Sequence, residues 1–325
     1  MLNNFISVIC PVYNEEKYIE DILKFFIAAK PDNKELLVID GGSADKTKDI
    51  IKEYLNKYKN IFLLDNPNRY VSFALNIGIQ KSSGNFIIRI DAHTKYSDDY
   101  FEKIIETFSC VEADIVGGPY LTIYKNDFQK AAALAISSSF GIGNSKAHKV
   151  NYKGYVDSVP YGAYKRELFN EIGNFDERFV RNQDDEFNYR ANSLGKKVYL
   201  NPEIKLWYYP RSSFKKLVSQ YFQYGLYKPL VLSKIKSGIK FRHIIPALFL
   251  LYLLSFLLPA FPLWLITPLL IYLLLLFAFS IRGDKLKIKF LLLLIFPLIH
   301  ISYGAGFLAG LLKLRKLSRK PPVIS

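Results

Sequence analysis

The segment Asn85-Phe-Ile-Ile-Arg-Ile-Asp-Ala-His-Thr-Lys95 is an apolar strand that runs out into a carboxylate, Asp91, with an imidazole two positions later at His93. Alternate residues of an extended chain share a face, so these two groups can converge on one ion or phosphate. The place suits chemistry, because open α/β sheets bind ligands beyond the carboxyl ends of their strands. A second acid, Asp40, closes the apolar run Leu36-Leu-Val-Ile39, and the Gly41-Gly42 pair behind it lets a ligand come close to the backbone. Carboxylates at two strand ends suit the base or ribose hydroxyls of a nucleotide and the metal on its phosphates. Ser43 and Asp45 follow, in what also reads as ordinary turn and cap chemistry.

The third acidic centre is Arg181-Asn-Gln-Asp-Asp-Glu-Phe-Asn-Tyr-Arg190. Asp184, Asp185 and Glu186 open a helix, whose dipole favours negative charge there. They point in different directions around it, so one or two at most face a cleft. A carboxylate so placed can take a proton from an attacking hydroxyl.

These residues need a frame, and the apolar periodicity supplies one. Residues 5–10, 36–40, 61–64 and 86–91 read as strands. Between them lie a helix with Ile19, Ile22, Leu23, Phe26 and Ile27 on one face, a second burying Ile50, Ile51, Tyr54 and Leu55, and a third over residues 72–80. Asn14 is placed to cap the first, and Pro31-Asp32 stops it. A helix over residues 98–108 and a strand and bend over 114–119 come next. This β-α-β-α repetition with short connections predicts an α/β fold whose parallel sheet is covered on both faces. Between Lys125 and Asp157, residues 131–136 read as helical and 137–144 as flexible, either a lid over the site or a surface connection.

The chain of 325 residues carries a formal net charge of +15, and half of it is hydrophobic. Its Lys and Arg residues gather around the apolar runs of the carboxyl-terminal third, which argues for an anionic membrane surface rather than nucleic acid. Cys10 and Cys110 lack metal-ligand spacing and read as buried thiols, with little hint of an oxidising compartment. Met1-Leu-Asn-Asn4 has no signal-peptide character, so the first domain is expected on the synthesising side.

Taken together, Val8-Ile-Cys-Pro-Val-Tyr-Asn-Glu15, Val38-Ile-Asp-Gly-Gly-Ser-Ala-Asp-Lys-Thr47, Arg89-Ile-Asp-Ala-His93 and Asn182-Gln-Asp-Asp-Glu186 resemble family 2 glycosyltransferases over residues 5–225. Those are inverting enzymes that use nucleotide-sugar donors. Within the family, Asp91-Ala-His-Thr94, Tyr209-Pro-Arg-Ser-Ser-Phe214 and Gln220-Tyr-Phe-Gln-Tyr-Gly225 are similar to the succinoglycan-type glucosyltransferase branch, whose members extend bacterial polysaccharide repeat units on lipid carriers. The resemblance implies a GT-A mixed sheet with helices on both faces over residues 1–210, followed by a helical membrane region. It implies hexosyl transfer of a single sugar, from a UDP-sugar to a polyprenyl-linked glycan, in exopolysaccharide biosynthesis with Mn²⁺ or Mg²⁺. The processive synthases carry Gln-x-x-Arg-Trp where this chain has Gln220-Tyr-Phe-Gln-Tyr224, which supports single transfer.

By position, the resemblance sets Pro11, Tyr13 and Glu15 at the nucleobase and Asp40 on the uracil or ribose, with Ser43, Asn76 and Asp91 completing the donor set. Asp91 and His93 would hold the metal. His93 stands where the family has an acid; imidazole suits Mn²⁺, whereas Mg²⁺ prefers oxygen. Asp184 is the candidate base, with Gln183 in place of the family's Glu, and Asp185 stands in reserve. Tyr161, Gly162, Glu186 and Arg190 would meet the acceptor.

Residues 211–243 read as an amphipathic linker, with Phe214, Leu217, Val218, Tyr221, Phe222 and Gly225 on one face, either a core helix or an interfacial one. Residues 244–261 and 262–281 are each long enough to cross a membrane, in a hairpin hinged near Pro259 and Pro262. Residues 290–312 form a third segment, where Pro297, Gly304, Gly306 and Gly310 permit a kink or a re-entrant pair and His300 reads as a packed polar residue. The basic connection Arg282-Gly-Asp-Lys-Leu-Lys-Ile-Lys289 belongs on the cytoplasmic side, giving a multi-pass inner-membrane protein with its catalytic domain in the cytoplasm and a basic tail over 313–325. The rival reading is a nucleotide-sugar-binding scaffold or transporter component. Against a coupled carrier, no acidic residue lies between Ile244 and Ile281.

Overall fold

The computed structural model describes residues 5–143, 146, 149–235, 240–257 and 266–319. The first half alternates: β1 (Ile6–Val12), α1 (Ile19–Ala28), β2 (Lys34–Asp40), α2 (Thr47–Leu55), β3 (Ile61–Asp65), α3 (Val71–Lys81), β4 (Phe86–Arg89) and β5 (Lys95–Tyr96). There follow α4 (Tyr100–Cys110), β6 (Ile115–Gly117), β7 (Tyr120–Thr122), α5 (Asp127–Ser137), α6 (Ser139–Ile142), β8 (Gly154–Tyr155), β9 (Ala163–Lys165) and α7 (Arg166–Ile172). The chain continues through α8 (Gln183–Ser193), β10 (Val198–Leu200), β11 (Leu206–Tyr208) and α9 (Phe214–Lys234). It ends in α10 (Phe241–Ser255), α11 (Ile266–Ser280), α12 (Leu286–Leu312) and α13 (Leu314–Leu317). Two compact units result, one from residues up to Leu121 with Lys146–Tyr208, the other from Thr122–Ser145 with Tyr209–Arg319.

In the first unit an eight-stranded sheet runs β3-β2-β1-β4-β9-β6-β10-β8. Strand β1 lies parallel to both β2 and β4, pairing Val12 with Asp40 and Ile9 with Arg89, so the carboxyl ends of three strands open on one edge. Strands β1 to β4 are parallel, as the repetition predicts, and β9 runs antiparallel between β4 and β6, so the whole sheet is mixed, as the resemblance implies. Strict alternation along the strands fills two cores. Ile6, Val8, Cys10, Leu36, Val38 and Ile88 meet Phe26 and Phe101 on one face, while Ile9, Leu37, Ile39 and Ile87 meet Leu75 and Phe187 on the other. A three-stranded sheet, β5-β11-β7, stands apart from the large one.

The second unit is helical. Residues 125–143, read from sequence as part helix and part flexible connection, are instead packed: α5 runs from Asp127 with Asn126 as its cap, and the Phe140 ring of α6 lies among Tyr272, Phe279, Phe296 and His300. Asn144 lies outside the described residues. Helix α9 is a core helix, with Leu217, Tyr221 and Gly225 buried against α12 and Phe214 and Val218 left exposed. His300 is packed as expected, its ring nitrogens on the Tyr272 hydroxyl and the Phe140 carbonyl at 3.0 and 2.8 Å.

Helix α12 runs unbroken through Pro297 and all three glycines, which excludes the re-entrant pair. Its glycines serve close approach: a Cβ on Gly306 would sit 2.0 Å from the Phe222 carbonyl oxygen, one on Gly310 2.3 Å from that of Leu226, and one on Gly304 2.3 Å from that of Pro246. With 27 residues and an 18-residue stretch of mean hydropathy 2.0, α12 is long and apolar enough to cross a membrane. Helices α10 and α11 have 15 residues each, about 22 Å of rise, short of the roughly 20 residues a crossing needs. The expected three-segment, multi-pass arrangement is therefore unsupported; the hinge at Pro259 and Pro262 lies outside the described residues. Replacing Gly306→Ala is expected to cost about 1–3 kcal/mol through forced separation of α9 and α12, read as a lower thermal midpoint in detergent.

Candidate functional site

Asp40 ends β2 fully buried, and its carboxylate accepts the Gly42 and Ser43 amides at 2.8 and 3.0 Å, with the Lys48 ammonium 3.1 Å away. That bonding shapes the turn after β2; Gly42, at φ +81°, takes the left-handed conformation the turn needs. The turn is then locked to the loop after β1. Asn14 donates its amide to Ser43 Oγ and accepts that of Ala44, while the Glu15 amide donates to Thr47 Oγ1. Asn14 thus ties two loops together instead of capping α1, which has no side-chain cap. Asp45 is a turn and cap residue, accepting from Thr47.

Tyr13 is 46% exposed on this edge, and the Arg69 guanidinium lies 5.7 Å from its ring centre. Arg69 is held at φ +62° and reaches to within 4 Å of where a Gly42 Cβ would be. Sequence reading missed Arg69. Its position in Asn66-Pro-Asn-Arg-Tyr70, just past the carboxyl end of the third parallel strand, was the available signal.

A few residues along the same edge, Arg89 closes β4 and is 5% exposed. Its Nε donates to Asp91 Oδ1 at 3.0 Å and its Nη2 to Asp91 Oδ2 at 3.2 Å, while Nη1 donates to both oxygens of Asp184, at 2.7 and 2.8 Å. The guanidinium face lies over Tyr161, whose backbone takes φ +45°. One cation therefore brings together three sequence-predicted residues, Asp91, Asp184 and Tyr161. Gly162 contributes backbone, its carbonyl accepting from the Arg89 amide. Burial pushes the Asp184 carboxyl above its ordinary range; Arg89 opposes this, and Asp91 and Asp185 add to it. Asp185 lies alongside, accepting from the Ser158 hydroxyl at 3.3 Å.

His93 sits next to Asp91 with its Nδ1 3.0 Å from Glu15 Oε1, so Glu15 orients the imidazole. Among the described residues no three carboxylate, imidazole or thiolate groups lie together as a metal cage. Asp91 is an oxygen donor and His93 a nitrogen donor, ligand types that Mn²⁺ accepts.

Three expected contacts fall elsewhere. Asn76 is buried on α3, its amide donating to the Phe175 carbonyl and accepting the Phe175 amide at 2.9 and 3.0 Å, so it clamps a turn and is removed from the donor set. Glu186 is fully buried in an ion pair with Arg190, whose other bonds go to the carbonyls of Ile172, Gly173 and Asn174. This pair pins α8 to the end of α7 and leaves the acceptor set.

The family model described as glycosyl transferase family 2 matches residues 7–173, about half of the chain. The chain belongs to glycosyl transferase family 2. The transferase is 35% identical to the dolichyl N-acetyl-alpha-D-glucosaminyl phosphate 3-beta-D-2,3-diacetamido-2,3-dideoxy-beta-D-glucuronosyltransferase of Methanococcus voltae, over 95% of this chain and 98% of that one. It is 34% identical to the succinoglycan biosynthesis protein ExoA of Rhizobium meliloti, over 67% of each chain. Among solved structures, the mannosyltransferase PcManGT of Pyrobaculum calidifontis, in complex with GDP-Man and Mn²⁺, superposes with a TM-score of 0.58 at 14% identity, covering 95% of this chain and 86% of that one. TarS 1-349 of S. aureus, in complex with UDP-GlcNAc, gives 0.53 at 16% identity, covering 96% and 92%. These likenesses establish the GT-A-like fold.

Asn76→Ala is expected to lower stability by about 1–3 kcal/mol, through the unpaired Phe175 backbone, and to leave nucleotide affinity unchanged. Denaturant unfolding and calorimetric titration check the two halves separately.

Proposed function

We propose that this transferase moves a single sugar, with inversion, from a UDP-sugar to a lipid-linked glycan at a membrane surface. The observation that carries the reading is the pair of carboxylates on one buried guanidinium, Asp91 at a strand end and Asp184 at a helix start. The nucleoside rests on the surface of Pro11, Tyr13, Glu15, Ser43 and Arg69, on the turn that Asp40 holds. Asp184 takes the proton of the acceptor hydroxyl, whose oxygen bonds to the anomeric carbon as the bond to the diphosphate breaks on the opposite face. Asp185 and the Tyr161-Gly162 turn border the acceptor. A divalent ion held by Asp91 and His93 would offset charge on the departing diphosphate.

The lipid-linked acceptor is supported by the Methanococcus voltae relative, whose name gives a dolichyl-phosphate-linked sugar and which aligns along nearly the whole chain. The membrane is supported by the second unit's surface. Phe241, Leu248, Leu274, Phe277, Leu286 and Phe290 are all more than half exposed there, too much apolar area for water alone. Basic residues lie at both ends of α12, with Lys285, Lys287 and Lys289 at one and Lys313, Arg315 and Lys316 at the other, which suits anionic headgroups.

Asp184→Asn is expected to lower kcat by about 10²–10⁴-fold while nucleotide affinity persists. Asp184 must be ionised to accept a proton and its carboxyl is raised, so the wild-type rate should fall on acidification with a midpoint above the ordinary value of about 4. The donor is tested by titrating the detergent-solubilised protein with a panel of nucleotide sugars, with and without Mn²⁺, on wild type and His93→Ala. Metal-dependent binding of one UDP-sugar, weakened by the substitution, is expected. Binding indifferent to Mn²⁺ would remove His93 and the ion from the mechanism.

A further inference from the structure

The buried and half-buried arginines beside this sheet are not all alike. Arg166 and Arg190 reach backbone carbonyls, of Gly84 and Ile79 in one case and of Ile172 and Asn174 in the other, as residues that hold loops do. All of the Arg89 guanidinium bonds described above go to carboxylates, and both carboxylates belong to the proposed reaction centre. Every guanidinium nitrogen is engaged, and Tyr161 covers one face of the group. Its orientation is fixed from three sides.

We infer that Arg89 is a positioning residue for the transfer step, holding the Asp184 carboxylate towards the acceptor hydroxyl and at a fixed separation from Asp91 on the donor side. The inference rests on the reading of Asp184 as the base. Asp184 keeps 24% of its side chain exposed, so it meets both solvent and the buried guanidinium. A single Nη1 straddles both of its oxygens, which holds the carboxylate plane while leaving lone pairs for the incoming proton. The opposite edge of the same planar group grips Asp91, so neither acid shifts without the other. Lysine cannot substitute: an ammonium is a point charge without two edges, and it would satisfy one carboxylate at the expense of the other.

The test is a double-mutant cycle on the full chain in detergent. Arg89→Lys is expected to lower kcat about 100-fold, the usual cost of misplacing a reacting group by about 1 Å. Affinity for uridine, which makes no call on Asp91 or the ion, should stay within about threefold, because the Tyr13 and Asp40 region is untouched, and retained binding also certifies the fold. In the Asp184→Asn background, Arg89→Lys should add less than about twofold, since a residue that acts through the base has nothing left to position. Asp184→Glu approaches the pair from the other side and leaves Arg89 in place. It keeps the carboxylate but breaks the fit to Nη1, and should also lose at least about tenfold in kcat. A full-sized Arg89→Lys effect persisting without the Asp184 carboxylate overturns the inference, as does near-wild-type turnover in Arg89→Lys or Asp184→Glu. Wild-type turnover in Asp184→Asn alone instead overturns the base assignment beneath it.

Discussion

An arginine side chain only 7% exposed must keep its counter-charges, because leaving a buried ion unpaired costs far more than any surface contact returns. Arg89 is that group, and much of the first unit follows from satisfying it. Strand β4 must stop so that the chain can turn Asp91 back onto the Arg89 side chain. Helix α8 must begin where Asp184 can reach Nη1, and it is anchored there by Phe187 in the core and by the Glu186–Arg190 pair below. Tyr161 must take a left-handed backbone to lay its ring under the cation. The Asp40 turn is a separate device along the same edge, a fully buried carboxylate held by backbone amides and Lys48.

The repeating part of the fold was legible from apolar periodicity, and strands β1 to β4 and helices α1 to α4 lie within a few residues of where the sequence puts them. Antiparallel β9 was not legible. Ala163-Tyr-Lys165 is too short to show alternation, and its place between β4 and β6 is set by pairing across the sheet. In the candidate site, Asp91, Asp184 and Tyr161 could be named from motifs, but Arg89, which joins them, reads as part of a strand and a motif without a role of its own. Nothing local distinguishes an arginine facing two distant carboxylates from one facing solvent. Asn76, Glu186 and Arg190 erred in the opposite direction, since polar residues beside a motif look functional until their hydrogen bonds are seen to close loops.

The second unit shows the same limit at a larger scale. Glycine and proline in an apolar run signal interruption when read along the chain, yet α12 needs its glycines for neighbours. Gly306 and Gly310, four residues apart, let the backbones of α9 and α12 approach, and Gly225 returns the favour from α9, where a Cβ would stand 2.1 Å from the Tyr303 carbonyl oxygen. Residues 131–136 read as helix, within α5, but the packing of residues 125–143 was not legible for a related reason. Their apolar partners lie far along the chain, in α9, α11 and α12.

The clamp on Asp184 raises a chemical question that the electrostatics answer. An arginine beside a carboxylate ordinarily stabilises the anion and so weakens it as a base. Here burial raises the Asp184 carboxyl, Asp91 and Asp185 push the same way, and Arg89 offsets only part of the rise. The proposed base would therefore combine features that conflict in water: a carboxylate fixed in direction by a cation, yet with greater proton affinity than a free aspartate. The sharing of the guanidinium contributes to this balance. Because Arg89 also serves Asp91, one positive charge faces two carboxylates, and the cluster keeps a net negative character. In the proposed mechanism, an arginine given wholly to Asp184 would position the base and weaken it at the same time; one divided between Asp91 and Asp184 would position it while leaving it able to take the proton.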